Sequence, residues 1–413
     1  MRSRPIFTLE RLRLCCGAVV LLLCLLAAAS LAAAAEATGP PAVEVHGWML
    51  TRYYSDVTVN DTRSSSGVIS NEQDESRLKW ERVSLSGLVR LANGKTGYAE
   101  IYIHPWLPND DPSFLYLESF YLDVPAGPGA KFRIGKGRSN CFGIVPAYGI
   151  RKTSNYSPLS EAFTMDRVLG IQYLRKHGKD ELAFGILNAE RPGQRFIGMT
   201  ADMQLDQGSL ARTTVGHLTD RDTPADRSGQ LQASARLGRQ MGDMNVGVSG
   251  RTYGLDRTDV AFLAKKFATY NGQNRTARRY GLDATYNRMP FIGSAQYYVG
   301  DTGGIRNNGW EILLGVEPSA QCTAPWRSFS GACKGLFLRY GRLDIDVPRT
   351  LDSITWDTEQ LAVSYVYPLR VKHFLGSLPK WLQIEYERNK EKPPAGMSEI
   401  PDNVFFVELF SAF

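Results

Sequence analysis

The chain closes on "VFFVELFSAF", Val404 to Phe413. Counting back in twos from the last ring collects Phe413, Ser411, Leu409, Val407 and Phe405 on one side. Glu408 lies on the other, between Phe406 and Phe410. A period of two with one apolar face predicts a β-strand. Chain ends are more often polar and loosely held, so this ending calls for a strand that must be paired to its last residue.

The same alternation recurs upstream. In "LQASARLGR", Leu231, Ala233, Ala235 and Leu237 oppose Gln232, Ser234 and Arg236. "YGLDATY", "FIGSAQYYV" and "WLQIEYE" repeat it from Tyr280, Phe291 and Trp381. Segments of about ten residues, apolar on one face and polar on the other, match transmembrane β-strands rather than membrane helices. A secreted β-sandwich binding module also alternates, but with shorter strands and more uniform connections. The expected fold is therefore an all-β, antiparallel, up-and-down transmembrane barrel. Its last strand pairs with its first, because lipid tolerates no exposed sheet edge.

The other terminus agrees. Arg2, Arg4, Arg11 and Arg13 precede the apolar run "CCGAVVLLLCLLAAASLAAAA", which exits in small residues before Glu36. That is the layout of a secretory signal peptide, expected over residues 1–35. Removing those 35 residues, with four Arg and one Glu, leaves 378 and lowers the formal net charge from +6 to +3. Near-balanced charge gives no support to nucleic-acid binding.

Connections come in two kinds. "LANGKTG", "PAGPGAK", "KHGKD", "DQGS" and "QMGD" are tight turns. Longer polar excursions run Asn60 to Ser76, Pro108 to Pro112, Ser139 to Asp166, Asp220 to Ser228, Asp256 to Ala277, Asp301 to Asn307 and Asn389 to Asp402. Short turns on one rim and long loops on the other are the habit of outer-membrane barrels. The strand count over residues 36–413 reaches about 18, with 16 as the alternative. Trp48, Trp80, Trp106, Trp310, Trp356 and Trp381 fall near expected strand ends, as an aromatic girdle would.

In this architecture the chain resembles bacterial outer-membrane porins. "RIGKGRSNCFG", Arg133 to Gly143, follows the fifth expected strand and is similar to the corresponding stretch of the phosphate-selective O and P porins. The resemblance implies that the segment from about 139 to 166 folds inward as a constriction. It implies that Phe413 is the recognition signal for the barrel-assembly machinery, and it is compatible with a homotrimer. The dense Arg and Lys ladder of that family has no equivalent here.

Opposite the apolar faces lie Arg82, Arg90, Lys131, Arg133, Arg236, Arg251 and Arg279, the candidate pore wall. Glu100, Asp283, Glu311, Glu385, Glu387 and Glu408 share that face. The candidate constriction carries Arg138, Arg151, Lys152 and Arg167 against Glu161 and Asp166. A pore lined by both signs develops a transverse field without excluding either class of ion. The five histidines are scattered, no metal-ligand spacing occurs, and no nucleophile–base pair is marked. Catalytic residues, metals and cofactors are therefore not expected. Past residue 35 the cysteines are Cys141, Cys322 and Cys333. An exported setting favours a Cys322–Cys333 disulfide, with Cys141 unpaired.

The expected protein is a porin in the outer membrane of a Gram-negative-type bacterium, not an enzyme. It would pass small hydrophilic solutes and ions with a mild anion preference, in contact with outer-membrane lipid. A barrel that sheathes or anchors an electron-transfer or export component is the rival reading.

Overall fold

The structure is a computed structural model. It describes residues 42–58, 62–63, 69–70, 77–91, 93–103, 115–144, 152–153, 156–164, 167–189, 230–267, 270–318, 334–346, 357–369, 380–392 and 402–412. The expected signal peptide, Phe413, Arg151, Asp166, Cys322 and Cys333 lie outside these residues, and of Glu161 only the backbone is described.

Sixteen strands form one closed antiparallel sheet. The first five are β1 (Ala42–Thr58), β2 (Arg77–Arg90), β3 (Thr96–Ile103), β4 (Leu115–Pro125) and β5 (Ala130–Arg138). Then come β6 (Arg167–His177), β7 (Asp180–Asn188), β8 (Leu231–Met241), β9 (Met244–Gly254), β10 (Thr276–Arg288) and β11 (Phe291–Thr302). The last five are β12 (Ile305–Val316), β13 (Gly335–Asp346), β14 (Asp357–Pro368), β15 (Lys380–Lys392) and β16 (Asp402–Ala412). A two-residue ribbon, Thr62–Arg63 with Ile69–Ser70, stands apart in the connection after β1. Each barrel strand pairs with its sequence neighbours, and β16 returns to β1 with Trp48 opposite Ala412 and Arg52 opposite Glu408. The closing strand is thus bonded on both sides, and the barrel has no open edge.

The described count is 16, the lower of the two expected values. The expected "DQGS" turn lies in 190–229, outside the described residues, and the described ladder sets Asn188 directly opposite Leu231. The excursion expected from Asp301 to Asn307 is instead a two-residue turn, Gly303–Gly304, whose φ angles of 66° and 93° suit glycine. The flanking polar residues belong to the strands, and Asn307 is buried on the inner face.

The two faces separate as the alternation requires. Leu231, Leu237, Val248, Leu282, Ile312, Leu314, Leu338 and Ile384 are exposed on the outside. Gln232, Ser234, Asp283, Gln296, Glu311, Glu385 and Glu387 are buried on the inside. Tight turns close the rim at 126–129, 178–179, 242–243 and 289–290, and the connection 317–334, holding Cys322 and Cys333, lies on this same rim.

The girdle expectation needs correction at two of its six tryptophans. Trp48 and Trp381 point inward, 1% and 3% exposed, and both stack on Phe410, with ring centroids 5.4 and 3.7 Å away. They fill the lumen beside the barrel closure instead of meeting headgroups, because they share the register of the inward-facing Phe410. Trp80 faces outward, while Trp106 and Trp356 are outside the described residues.

Candidate functional site

Between β5 and β6, the described residues 139–144, 152–153 and 156–164 leave the wall and lie inside the barrel. Cys141, fully buried, places its carbonyl on the Ser234 hydroxyl (2.9 Å). The Gly143 N–H donates to Ser249 Oγ (3.2 Å) and the Ile144 N–H to Tyr298 Oη (3.1 Å). Tyr298 in turn donates to Gln296 Oε1 (2.6 Å). Tyr298 fills the space that side chains at Gly143 and Gly281 would need, since an added Cβ would fall 2.2 Å from its hydroxyl oxygen and 2.3 Å from its ring. The chain then reaches the far wall. Lys152 Nζ lies 2.9 Å from Glu317, just past β12, and Thr153 accepts from Arg339 on β13.

A short helix follows, α1 (Pro158–Phe163). Ser157 caps it by accepting from the Ser160 N–H (3.0 Å), and Pro158 sits at the first turn, where its missing N–H costs nothing. Leu159, Ala162 and Phe163 are buried against β10–β13 with Phe142, Tyr298, Ala277 and Leu343. Two arginines hold the end of this helix. Arg279 Nη1 donates to the Ala162 carbonyl and Arg251 Nη2 to the Phe163 carbonyl, both at 2.9 Å. Their guanidiniums also lie over the Phe163 and Phe142 rings, at 5.3 and 4.5 Å from the centroids. These are the carbonyls a helix terminus leaves without internal partners. A second helix, α2 (Arg257–Lys266), belongs to the connection after β9. Asp256 and Asp259 form its capping box, and Leu263 joins the same buried cluster.

Of the expected wall residues, Arg251 and Arg279 are therefore covered by the segment, 4% and 0% exposed. Arg82 is buried with its guanidinium over Tyr102, and Arg90 is exposed at the rim beside Glu44. Lys131 and Arg133 share Asp123, each at 2.8 Å, and Arg236 is paired with Asp283. At the two ends of the segment, Arg138 closing β5 and Arg167 opening β6 converge on a single carboxylate, Glu118. Arg138 also donates to Tyr156 Oη (2.9 Å).

Sequence reading missed Glu118 for a specific reason. Strict alternation along β4 would put it outside with Phe120 and Leu122. A bulge opposite Glu100 and Ile101 adds one residue and turns Glu118 inward. Glu81 on β2 is turned in the same way, beside Arg52, which also meets Glu408. Arg52 and Arg339 went unnoticed too, although their alternation placed them inside.

Between the segment and the tight-turn rim the lumen keeps a cavity of ≈ 1060 Å³. Lys131, Arg175, Lys176 and Arg236 line it together with Asp123, Glu181, Asp243, Asn140, Gln240 and Asn245.

No family model matches the chain, and no curated protein matches it in sequence. Solved structures do match in shape. The outer membrane channel DcaP of Acinetobacter baumannii is 13% identical, with 90% of this chain and 97% of that one covered and a TM-score of 0.55. Salmonella typhi OmpF, solved in complex with daunomycin, is 8% identical over 90% and 97%, TM-score 0.54. Pseudomonas putida OprB is 8% identical over 90% and 94%, TM-score 0.51. At such identities the likeness shows the fold, and the fold is that of the outer-membrane porins. With an exposed apolar band around it, such a barrel sits in an outer membrane.

Proposed function

We propose that the chain is a porin that lets small hydrophilic solutes and ions diffuse passively, with a mild anion preference. One observation carries this reading: beside the segment that crosses it, the lumen keeps a polar cavity lined by charges of both signs. Residues 139–166 form the constriction, charged by Arg151, Lys152, Glu161 and Asp166, with Arg138 and Arg167 flanking it at the wall. The preference is mild because Arg138, Lys152 and Arg167 are each held by a carboxylate. For the same reason the similarity of Arg133 to Gly143 to phosphate-selective porins extends to the segment's place in the fold and not to a phosphate site. Residues 1–35 act as the export signal, Cys322 and Cys333 are bridged, Phe413 marks the chain for assembly, and three copies associate.

The test is a reversal potential across a planar bilayer in a salt gradient. Arg151→Glu with Lys152→Glu should move it toward cations at low salt, and the shift should shrink as ionic strength rises. An unchanged reversal potential at low salt would put the segment's charges away from the ion path.

A further inference from the structure

Every neighbouring pair of barrel strands except one is joined by a connection, and a connection limits how far the two can slide. The exception is the seam between β1 and β16, the first and last strands, where no turn sets the register. Alternation rules out odd slips there, because a shift of one residue would turn the apolar face of β16 into the lumen. It does not rule out slips of two, which restore both the backbone ladder and the two faces.

The outward file of β16, Phe405, Val407, Leu409 and Ser411, has little to tell one such step from the next. The inward file does. It reads Val404, Phe406, Glu408, Phe410 and Ala412, with a single charge in the middle. On β1 the inward residues His46, Trp48 and Leu50 precede Arg52, which stands directly across from Glu408 and donates to it from Nε. Both are 2% exposed. Glu81 holds the same guanidinium from the other side, 3.7 Å away, and it points inward because of the bulge in β2. Across its other ladder Glu408 faces an amide, Gln383, and not a second cation. A slip of two would set Arg52 against Phe406 or Phe410, and Glu408 against Leu50 or Tyr54. Parting a buried ion pair leaves both charges uncompensated, whereas apolar neighbours exchange at small cost.

We propose that the Arg52–Glu408 pair sets the register in which the barrel closes. Of the even steps open to it, β16 takes the one that brings Glu408 to Arg52, already positioned by Glu81. The stagger of the closed sheet, and with it the shape of the lumen, follows from that choice. The inference concerns closure and does not depend on what the lumen passes.

The test places cysteines on the outward file, away from the pair, oxidises the folded, purified barrel and identifies disulfide-linked peptides by mass spectrometry. Thr51→Cys with Leu409→Cys reports the register of this structure. Thr51→Cys with Val407→Cys, or with Ser411→Cys, reports the two slips, since opposed residues can bridge and diagonal ones stand too far apart. In the otherwise unaltered chain the first pair should bridge about ten-fold more than either of the others. Exchanging the acid with its neighbour, Phe406→Glu with Glu408→Phe, should move the strand by two residues and make Thr51→Cys with Val407→Cys the pair that bridges. Glu408→Gln, which keeps size and fold, should lower the preference for the first pair about ten-fold, and it decides the matter where the exchanged chain fails to assemble. A bridge that stays at Leu409→Cys in the exchanged chain would overturn the proposal. So would an undiminished preference in Glu408→Gln.

Discussion

At the scale of single residues, the arginines of the inner face have distinct tasks. Arg279 donates to a helix-end carbonyl and covers an aromatic ring, with no solvent contact. Replacing it by Ala strands the Ala162 carbonyl and leaves a void, so stability should fall by about 1–3 kcal/mol. Arg279→Ala should also make single-channel current noisier, because α1 loses one of its two anchors; a quiet trace at the original conductance would remove Arg279 from that role. Cys141 gives a second check. Burial pushes its thiol up from the ordinary 9.0 to about 12. The folded state therefore favours the protonated thiol, so this contribution to stability is complete below about pH 9 and is lost as pH rises from about 9 to about 12. At pH 8 the folded, unreduced protein should take up no maleimide. Unfolding without reductant should expose one thiol, and unfolding with reductant three, if Cys322 and Cys333 are bridged and residues 1–35 are removed. Sequence alone could place Arg251 and Arg279 on the inner face, since period two decides that. It could not show that a segment from more than 80 residues earlier covers them, because covering is a tertiary event with no local signal.

At the scale of elements, the strands were legible wherever alternation was unbroken, as in Leu231–Met241 and Thr276–Arg288. Each bulge erased that signal for one residue, which is why Glu81 and Glu118 escaped. Polar residues in regular strands misled in the other direction. "DTGGIRNN" reads as a loop by composition, yet most of it is strand, with Thr302 and Asn307 facing the lumen and Asp301, Arg306 and Asn308 facing outward. The face assignment is open to test by paired substitution. Ala235→Arg puts a charge on the lipid face in mid-strand and should cost about 2–4 kcal/mol near the bilayer midplane. Gln240→Arg, on the same strand but lining the lumenal cavity, should be tolerated. Folded yield and urea midpoint report both, and equal tolerance would mean that the faces are reversed.

At the scale of the whole molecule, closure is what the final strand provides. Its ladder to β1 runs from Ala412 to Asn403, so losing its end would open the seam beside Trp48 and Phe410. Deleting Phe413 should therefore sharply lower the amount of heat-modifiable barrel in the outer membrane; full yield would show that the terminal ring is dispensable. If the closed, partly obstructed barrel is a water-filled path, single-channel recording of the purified protein in a planar bilayer will show it. Discrete, ohmic steps are expected, with a reversal potential only slightly on the anion side in a salt gradient. Correctly folded barrels that insert and pass no current would contradict it.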